Sequence, residues 1–329
     1  MFQLMMEKTI QWIKKNNKLV LSIIECYRKV NKECFKFIKL QETSKDKFKN
    51  KDKMIKSFLI PVSFWIAEKA KKKKPYIVGL SGGQGTGKTT ISSIISIILR
   101  KYFKLNVFTI SIDDFYKTRN ERLLLSKKVH PSLMTRGVPG THNINIMLDF
   151  FNRVKRKKFR PLKLPKFNKA IDDRYNKKLW YSVKKRPDII IFEGWCVGAK
   201  AEKTNTLKKS LNSLEKLKDK KLTWRRFVNK NLKSKYKQLY DQLNCLLYLK
   251  SKNFSLLRKW RIKQEKKLRL KNKKSNNHKI MNNKEVINFM QTYQRVTQNM
   301  FEYVPKYASI ILNLNSNHQI KSVVYNKLK

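Results

Sequence analysis

The chain has 329 residues, 41% of them hydrophobic, enough for one large α/β domain with an appendage. Lys and Arg number 78 against 22 Asp and Glu, a formal net charge of +56 that ordinarily points to nucleic acid or an anionic membrane. The basic residues are mostly Lys, spread along nearly the full length of a chain also rich in Asn and Ile, so compositional drift is preferred over a selected polyanion surface, and no specific nucleic-acid partner is expected.

Four Cys, at 26, 34, 196 and 245, include no C-x-x-C pair and meet no clustered His, so they read as free thiols of a reducing cytosol rather than zinc ligands. The N-terminus lacks a secretory pattern, and the best apolar run near it, Phe58 to Ala67, is too short to span a bilayer and contains Pro61. A soluble, cytoplasmic protein without a membrane partner is expected.

Residues 1–74 carry helical periodicity. Phe2, Met5, Met6, Ile10 and Ile13 keep a spacing near 3.6, as do Leu19, Ile23, Ile24, Tyr27 and Val30. The lysine-rich segment from Ser44 to Lys56 divides them, and a helical appendage packed on the main domain is expected. Residues 75–329 read as that domain.

It opens on Tyr76 to Thr90, YIVGLSGGQGTGKTT, a short apolar strand followed by a phosphate-binding P-loop. Gly82, Gly83, Gly85 and Gly87, with Gln84 and Thr86 between them, let successive backbone N–H groups face one anion. Lys88 brings a mobile positive charge for the β- and γ-phosphates and Thr89 offers a hydroxyl to Mg²⁺. Thr90 and the apolar residues Ile91, Ile94, Ile95, Ile98 and Leu99 continue into a helix whose N-terminus faces the phosphates. Leu80 to Gln84 also spells LSGGQ, the signature peptide of ABC transporter ATPases. One loop cannot serve as both P-loop and downstream signature, and that reading is set aside.

Asn106 to Ile112 is a second apolar strand, running directly into Asp113 and Asp114. Ligands bind at the carboxyl end of strands in an open parallel sheet, so Asp113 can reach a γ-phosphate or the hydroxyl that attacks it, while Asp114 suits a helix cap better. Met134 to Asn143 (MTRGVPGTHN) is a loop able to present Arg136 and backbone donors to a small anion. Arg156 to Arg186 reads as irregular and proline-punctuated, with weak candidates at Pro165 to Asn168 and Asp172 to Arg174. Pro187 to Gly194 (PDIIIFEG) is a buried strand ending in an acid, with Glu193 placed to hold Mg²⁺ or its water shell.

Lys200 to Lys221 reads as a solvated insertion and Leu222 to Leu243 as an amphipathic helix. Asn244 to Leu249 is a fourth strand leading to a helix with Trp260, Arg261, Gln264 and Glu265. There Arg261 fits a lid arginine that stabilises charge on the transferred group, and fits an ordinary surface arginine nearly as well. A polar loop, Lys271 to Asn283, a helix, Glu285 to Val304, and a last strand, Ser309 to Leu314, close the chain.

The P-loop, SIDDFY, RGVPGTH, DIIIFEGWCVG, the WRRFVN stretch at Trp224 to Asn229, WRIKQE and the closing helix together resemble the D-glycerate 3-kinases, relatives of uridine kinase, pantothenate kinase and phosphoribulokinase. The resemblance spans about residues 75 to 320. It implies a three-layer P-loop NTPase sandwich with a mainly parallel sheet, ATP and Mg²⁺ as cosubstrates, and phosphoryl transfer to a hydroxyl of glycerate, a small hydroxylated acid. By resemblance, Lys88 and Thr89 would handle phosphates and metal, Asp113 would be the base, and Arg136, His142 and Lys166 would line the acceptor site. With the residue readings above, the candidates are Lys88, Asp113 and Arg261 for catalysis, Asp113, Tyr116, Arg136, His142 and Lys166 for the acceptor, and Thr89 and Glu193 for the metal. Asn143 and Asn168 stand where the family commonly has Asp, which puts acceptor choice in question more than kinase chemistry.

A GTPase would need an N-K-x-D peptide, and no Asn-Lys pair here continues that way. Two alternatives remain: a nucleoside or pantothenate kinase, and a basic nucleic-acid-binding protein with a vestigial P-loop.

Overall fold

The computed structural model describes residues 2–43, 47–271 and 281–326. Two N-terminal helical segments come first: α1 (Phe2–Gln41), then α2 (Lys51–Lys53), which runs through a π-helical turn (Met54–Leu59) into α3 (Ile60–Lys72). β1 (Tyr76–Gly82) and α4 (Lys88–Lys101) flank the P-loop, and β2 (Val107–Ser111) is followed by α5 (Arg119–Lys128) and α6 (Ile144–Lys155). Next come four short strands: β3 (Leu162–Leu164), β4 (Phe167–Asn168), β5 (Asp173–Arg174) and β6 (Tyr181–Val183). β7 (Ile189–Gly194) precedes α7 (Ser213–Lys218), α8 (Thr223–Asn231) and α9 (Lys237–Tyr240). The remainder is β8 (Cys245–Lys250), α10 (Phe254–Lys271), α11 (Asn283–Tyr303), β9 (Ile310–Leu314) and β10 (Ile320–Tyr325).

Six strands form the main sheet in the order β10-β9-β8-β1-β7-β2. All neighbours pair in parallel except β10, which runs antiparallel to β9 at one edge. The inner strands are buried on both faces, which is why they read as continuous apolar runs rather than alternating ones. Val78, Leu80, Ile189 and Ile191 join a core with Ile91, Ile94, Ile95 and Ile98 of α4. Ile77, Ile190 and Phe192 point the other way, into a core with Met147, Phe150 and Phe151 of α6. Helices on both faces of a mainly parallel sheet make the expected three-layer sandwich. Cys26, Val30, Cys34 and Ile38 of α1 share the α4-side core, so the N-terminal helices lie against the P-loop helix.

Several segments differ from their reading in the sequence; the strand at Ser309 to Leu314 is not the last, since β10 follows it and pairs back on it as a half-exposed edge. The irregular stretch Arg156 to Arg186 holds two small antiparallel pairs, β3 with β6 and β4 with β5. Lys200 to Lys221 is not simply solvated, since Leu207, Glu215 and Asp219 within it are buried. Arg295 of α11 grips Glu215 in two-pronged fashion, at 2.8 and 2.7 Å, and reaches Glu202 at 3.1 Å. Arg225 of α8 holds Asp219 at 2.9 Å, and Asp219 also accepts the N–H groups of Trp224 and Arg225. Acids and arginines that look like surface charge one at a time are satisfied by one another together with nearby backbone groups. In the Ser44 to Lys56 divider, residues 44–46 lie outside the described residues, and helix resumes at Lys51. The polar tract after Lys271 lies, at 272–280, outside the described residues; Asn282 then caps α11 reciprocally with Glu285.

Candidate active site

The P-loop turns as its glycines allow. Gly85 and Gly87 sit at φ 78° and 85°, a left-handed conformation that costs glycine nothing. A Cβ on Gly85 would lie 3.2 Å from Trp260 Cβ and 3.3 Å from the Arg261 backbone nitrogen, so α10 is laid directly over the loop. Lys88 Nζ donates to the loop's own carbonyls, Gly82 at 2.9 Å and Gly83 at 3.1 Å. Thr86 Oγ1 donates to Gly83 O at 2.9 Å. Gln84 and Thr90 are half-buried on the same loop and helix start.

Adjacent strands bring two acids to this end of the sheet. β7 lies between β1 and β2 and delivers Glu193, buried, whose Oε1 accepts from Thr89 Oγ1 at 3.1 Å across 104 residues of sequence. Burial pushes the Glu193 carboxyl up against the pull of Lys88. Burial also lowers the Lys88 ammonium, against the charges of Glu193 and Asp113. Asp113 follows β2. Its Oδ1 accepts from Tyr116 Oη at 3.0 Å, and its Oδ2 takes Lys169 Nζ at 2.7 Å. Burial alone would raise this carboxyl, but Lys169, helped by the Tyr116 hydroxyl, holds it well below the usual range. Asp114 caps no helix; it accepts the Phe167 N–H at 3.3 Å, and burial pushes its carboxyl up to about 6.

His142 is buried and stacked on Tyr116 with ring centroids 4.4 Å apart. Its Nδ1 lies 2.6 Å from Tyr236 Oη, which also accepts the Gly140 N–H at 3.0 Å. With the Tyr236 phenol as donor to Nδ1, the ring proton sits on Nε2, a buried atom without a hydrogen-bond partner. Burial lowers the imidazole to about 3 despite the Asp113 charge, so His142 is a neutral donor rather than a cation. Arg136 pairs with Asp172 and lies 5.5 Å from the Phe167 ring centroid. Lys166 sits over the rings of Tyr175 and Tyr181, at 5.3 and 5.6 Å.

The structure brings Asp113, Tyr116 and His142 into one contact set beside the Lys88, Thr89 and Glu193 group. Arg261 is turned away from both: it pairs with Glu265, donates to Gln264 at 2.9 Å and lies over Phe289. Its backbone, not its side chain, touches the loop.

Asn143 and Asn168 both act on backbone. Asn143 Oδ1 accepts the Ile146 N–H at the start of α6, and Asn168 Oδ1 accepts the Ala170 N–H at 3.0 Å. Asn caps and closes such turns as well as Asp does, so these departures leave the local geometry intact.

Three residues that the sequence did not single out stand at the site: Lys169 on Asp113, Tyr236 on His142, and Tyr293. Tyr293 Oη is 3.4 Å from Arg136 O, and a Cβ on Gly137 would come within 2.1 Å of that hydroxyl. Lys169 falls between the two flagged stretches, directly after Pro165 to Asn168 and just before Asp172 to Arg174. The two tyrosines sit on helical apolar faces and carry no local signal.

The residues present fit a magnesium nucleotide. The loop is a cradle of positive-φ glycines, and the buried Ser81 hydroxyl at its mouth has no partner. Thr89 and Glu193 offer hard oxygens. Among the described residues no group of three or more His, Cys, Asp or Glu is placed to hold a metal ion.

No protein-family model matches the chain. In sequence it is 29% identical over 228 residues to the uncharacterized kinase mug58 of Schizosaccharomyces pombe, covering 67% of this chain and 79% of that protein. It is 28% identical over 255 residues to the chloroplastic D-glycerate 3-kinase of Arabidopsis thaliana, covering 72% of this chain but only 52%, about half, of that enzyme. Its fold matches the solved D-glycerate 3-kinase of Cryptococcus neoformans with a TM-score of 0.69 at 22% identity, over 82% of this chain and 99% of the other.

Proposed function

We propose that this chain, a P-loop kinase by fold and sequence likeness and one that resembles the D-glycerate 3-kinases, transfers the γ-phosphoryl group of ATP to a hydroxyl of D-glycerate with Mg²⁺ as cosubstrate ion. The observation that carries the reading is the set of neighbouring strand ends: Lys88 after β1, Glu193 on β7 and Asp113 after β2, with buried Tyr116 and His142 against Asp113. In this reading the backbone from Gly82 to Gly87 and Lys88 cradle the phosphates. Thr89 and Glu193 hold the magnesium ion, which when bound neutralises charge on the β- and γ-phosphates.

Asp113 accepts the proton of the acceptor hydroxyl as its oxygen attacks the γ-phosphorus and the bond to ADP breaks. The neutral Nε2–H of His142 donates to an acceptor oxygen, and Arg136 and Lys166 supply charge for its carboxylate. Arg261 would have to leave Glu265 to act as a lid arginine. Residues 1–74 are then an appendage on a kinase domain of 75–329. The four buried free cysteines fit a reducing cytosol, and no described helix is long and apolar enough to cross a membrane.

The test is ATP consumption with a panel of hydroxylated acceptors. D-glycerate should give the highest kcat/KM; uridine or pantothenate ahead of it would overturn the acceptor, and no ATP turnover with any acceptor would overturn the kinase reading. Lys88→Ala should abolish turnover while the circular dichroism spectrum is kept.

A further inference from the structure

Asp113 has each of its two oxygens engaged by a donor. Tyr116 is buried, stacked on His142 and paired with it through the backbone, so its hydroxyl stays at Oδ1. The other donor, Lys169, is of a different kind: it sits at the turn between β4 and β5, and its side chain is 61% exposed although its Nζ is 2.7 Å from Oδ2.

The backbone of that turn is fixed. Arg136 reaches the Lys169 carbonyl at 3.5 Å, and Arg122 and Arg136 both bind Asp172, the left-handed residue at φ 57° that closes the turn. Lys169 can therefore leave Asp113 by rotation of its own four-carbon stem, without loop movement. Its charge is felt at Lys88 and Glu193 as well as at Asp113, so the ammonium lies within electrostatic reach of the phosphate cradle.

We propose that Lys169 is a second phosphate-binding lysine that covers Asp113 when no nucleotide is bound and passes to the γ-phosphoryl group when MgATP arrives, uncovering the base. The proposal rests on the kinase reading but not on the choice of acceptor. An incoming triphosphate carries more negative charge than Lys88 alone can answer, and it is a stronger attractor for an ammonium than a carboxylate that already takes a hydrogen bond from Tyr116. The exchange leaves Asp113 Oδ2 open toward the acceptor hydroxyl, while the ammonium meets charge that develops on the transferring group. No proton moves in this exchange. The later step is the ordinary one, with the hydroxyl proton going to Asp113, the new P–O bond forming and the bond to ADP breaking.

The test begins without acceptor. Calorimetric titration of the full chain with MgATP and with MgADP should show Lys169→Met binding ADP as wild type does but losing about tenfold in affinity for ATP, the size expected for one charge-assisted bond to the γ-phosphate. With a working acceptor, the same variant should lose about 10²-fold in kcat, with a smaller change in the KM of the acceptor. Lys169→Arg, which keeps a charge, should recover at least a tenth of wild-type kcat. An unchanged ratio of ATP to ADP affinity in Lys169→Met overturns the proposal, as does a loss in kcat that Arg fails to rescue and that comes with a lowered Tm. Wild-type protein that binds no MgATP would remove the kinase reading itself. ATP binding without turnover of glycerate would remove only the acceptor, with the ATP-to-ADP comparison still deciding for or against Lys169.

Discussion

Asp113 and Asp114 are neighbours with opposite surroundings, and this divides their roles. Asp113 is held ionised by Lys169 in direct contact, whereas at Asp114 desolvation outweighs the more distant pull of Lys169, and one of its oxygens takes the Phe167 N–H. Asp113→Asn keeps shape and loses basicity, so kcat should fall about 10²- to 10⁴-fold while MgATP affinity stays within a few-fold, as steady-state kinetics and calorimetry would report. A near-normal kcat would move the base elsewhere. Arg136→Ala should instead raise the KM of the acidic acceptor more than it changes ATP binding. Asp114 bears on stability. Its carboxyl titrates at about 6 in the folded chain, above the unfolded value near 4, so its contribution is full below about pH 4 and is lost as pH rises through 6. Asp114→Asn still accepts the Phe167 N–H and never ionises. It should gain about 1–3 kcal/mol over wild type at pH 7.5 and nothing near pH 4, read from guanidinium midpoints at the two values; an equal gain at both would exclude titration as the cause.

The elements that the sequence disclosed are those whose signal is local. β1, β7 and β8 are nearly continuous apolar runs because both faces are covered, β2 and β9 are mainly apolar, and Glu193 and Asp113 stand out as acids at or just past the ends of such strands. β4 and β5 have two residues each, and β10 is a partly exposed edge, so neither length nor periodicity betrays them. The segment from Lys200 to Lys221 was illegible for another reason. Nothing near Glu215 in sequence says that Arg295, 80 residues on, will enclose it. This buried set gives an element-level expectation. Arg295→Met takes its two-pronged partner from a fully buried Glu215, leaving Arg225 at 3.7 Å and the Leu211 N–H, and should cost about 3 kcal/mol by chemical denaturation, and removing Glu215 as well should recover part of that loss. Additive losses in the double variant would show that the two side chains stabilise independently.

At the scale of the whole molecule the charge of +56 is the outstanding property, and it is spread rather than focused. Weak binding to any polyanion should follow, falling steeply between about 50 and 200 mM salt and indifferent to sequence. Fluorescence polarisation with single-stranded RNA and duplex DNA of several sequences would check this; a complex that survives near-physiological salt and prefers one sequence or shape would make the basic surface a selected feature.

The site is also stitched from distant parts of the chain: Thr89 meets Glu193 across 104 residues, His142 meets Tyr236 across 94, and Arg136 meets Tyr293 across 157. A ribosome that has released the chain as far as Glu193 has made the phosphate loop and both strand-end acids, yet neither tyrosine that shapes the acceptor side exists. Closing such long loops is slow, because their entropy is lost before the contacts reward it. We expect catalytic competence to come late as this chain folds. On dilution from denaturant, nucleotide binding should return before phosphoryl transfer does, and the interval between them is the time α11 takes to dock.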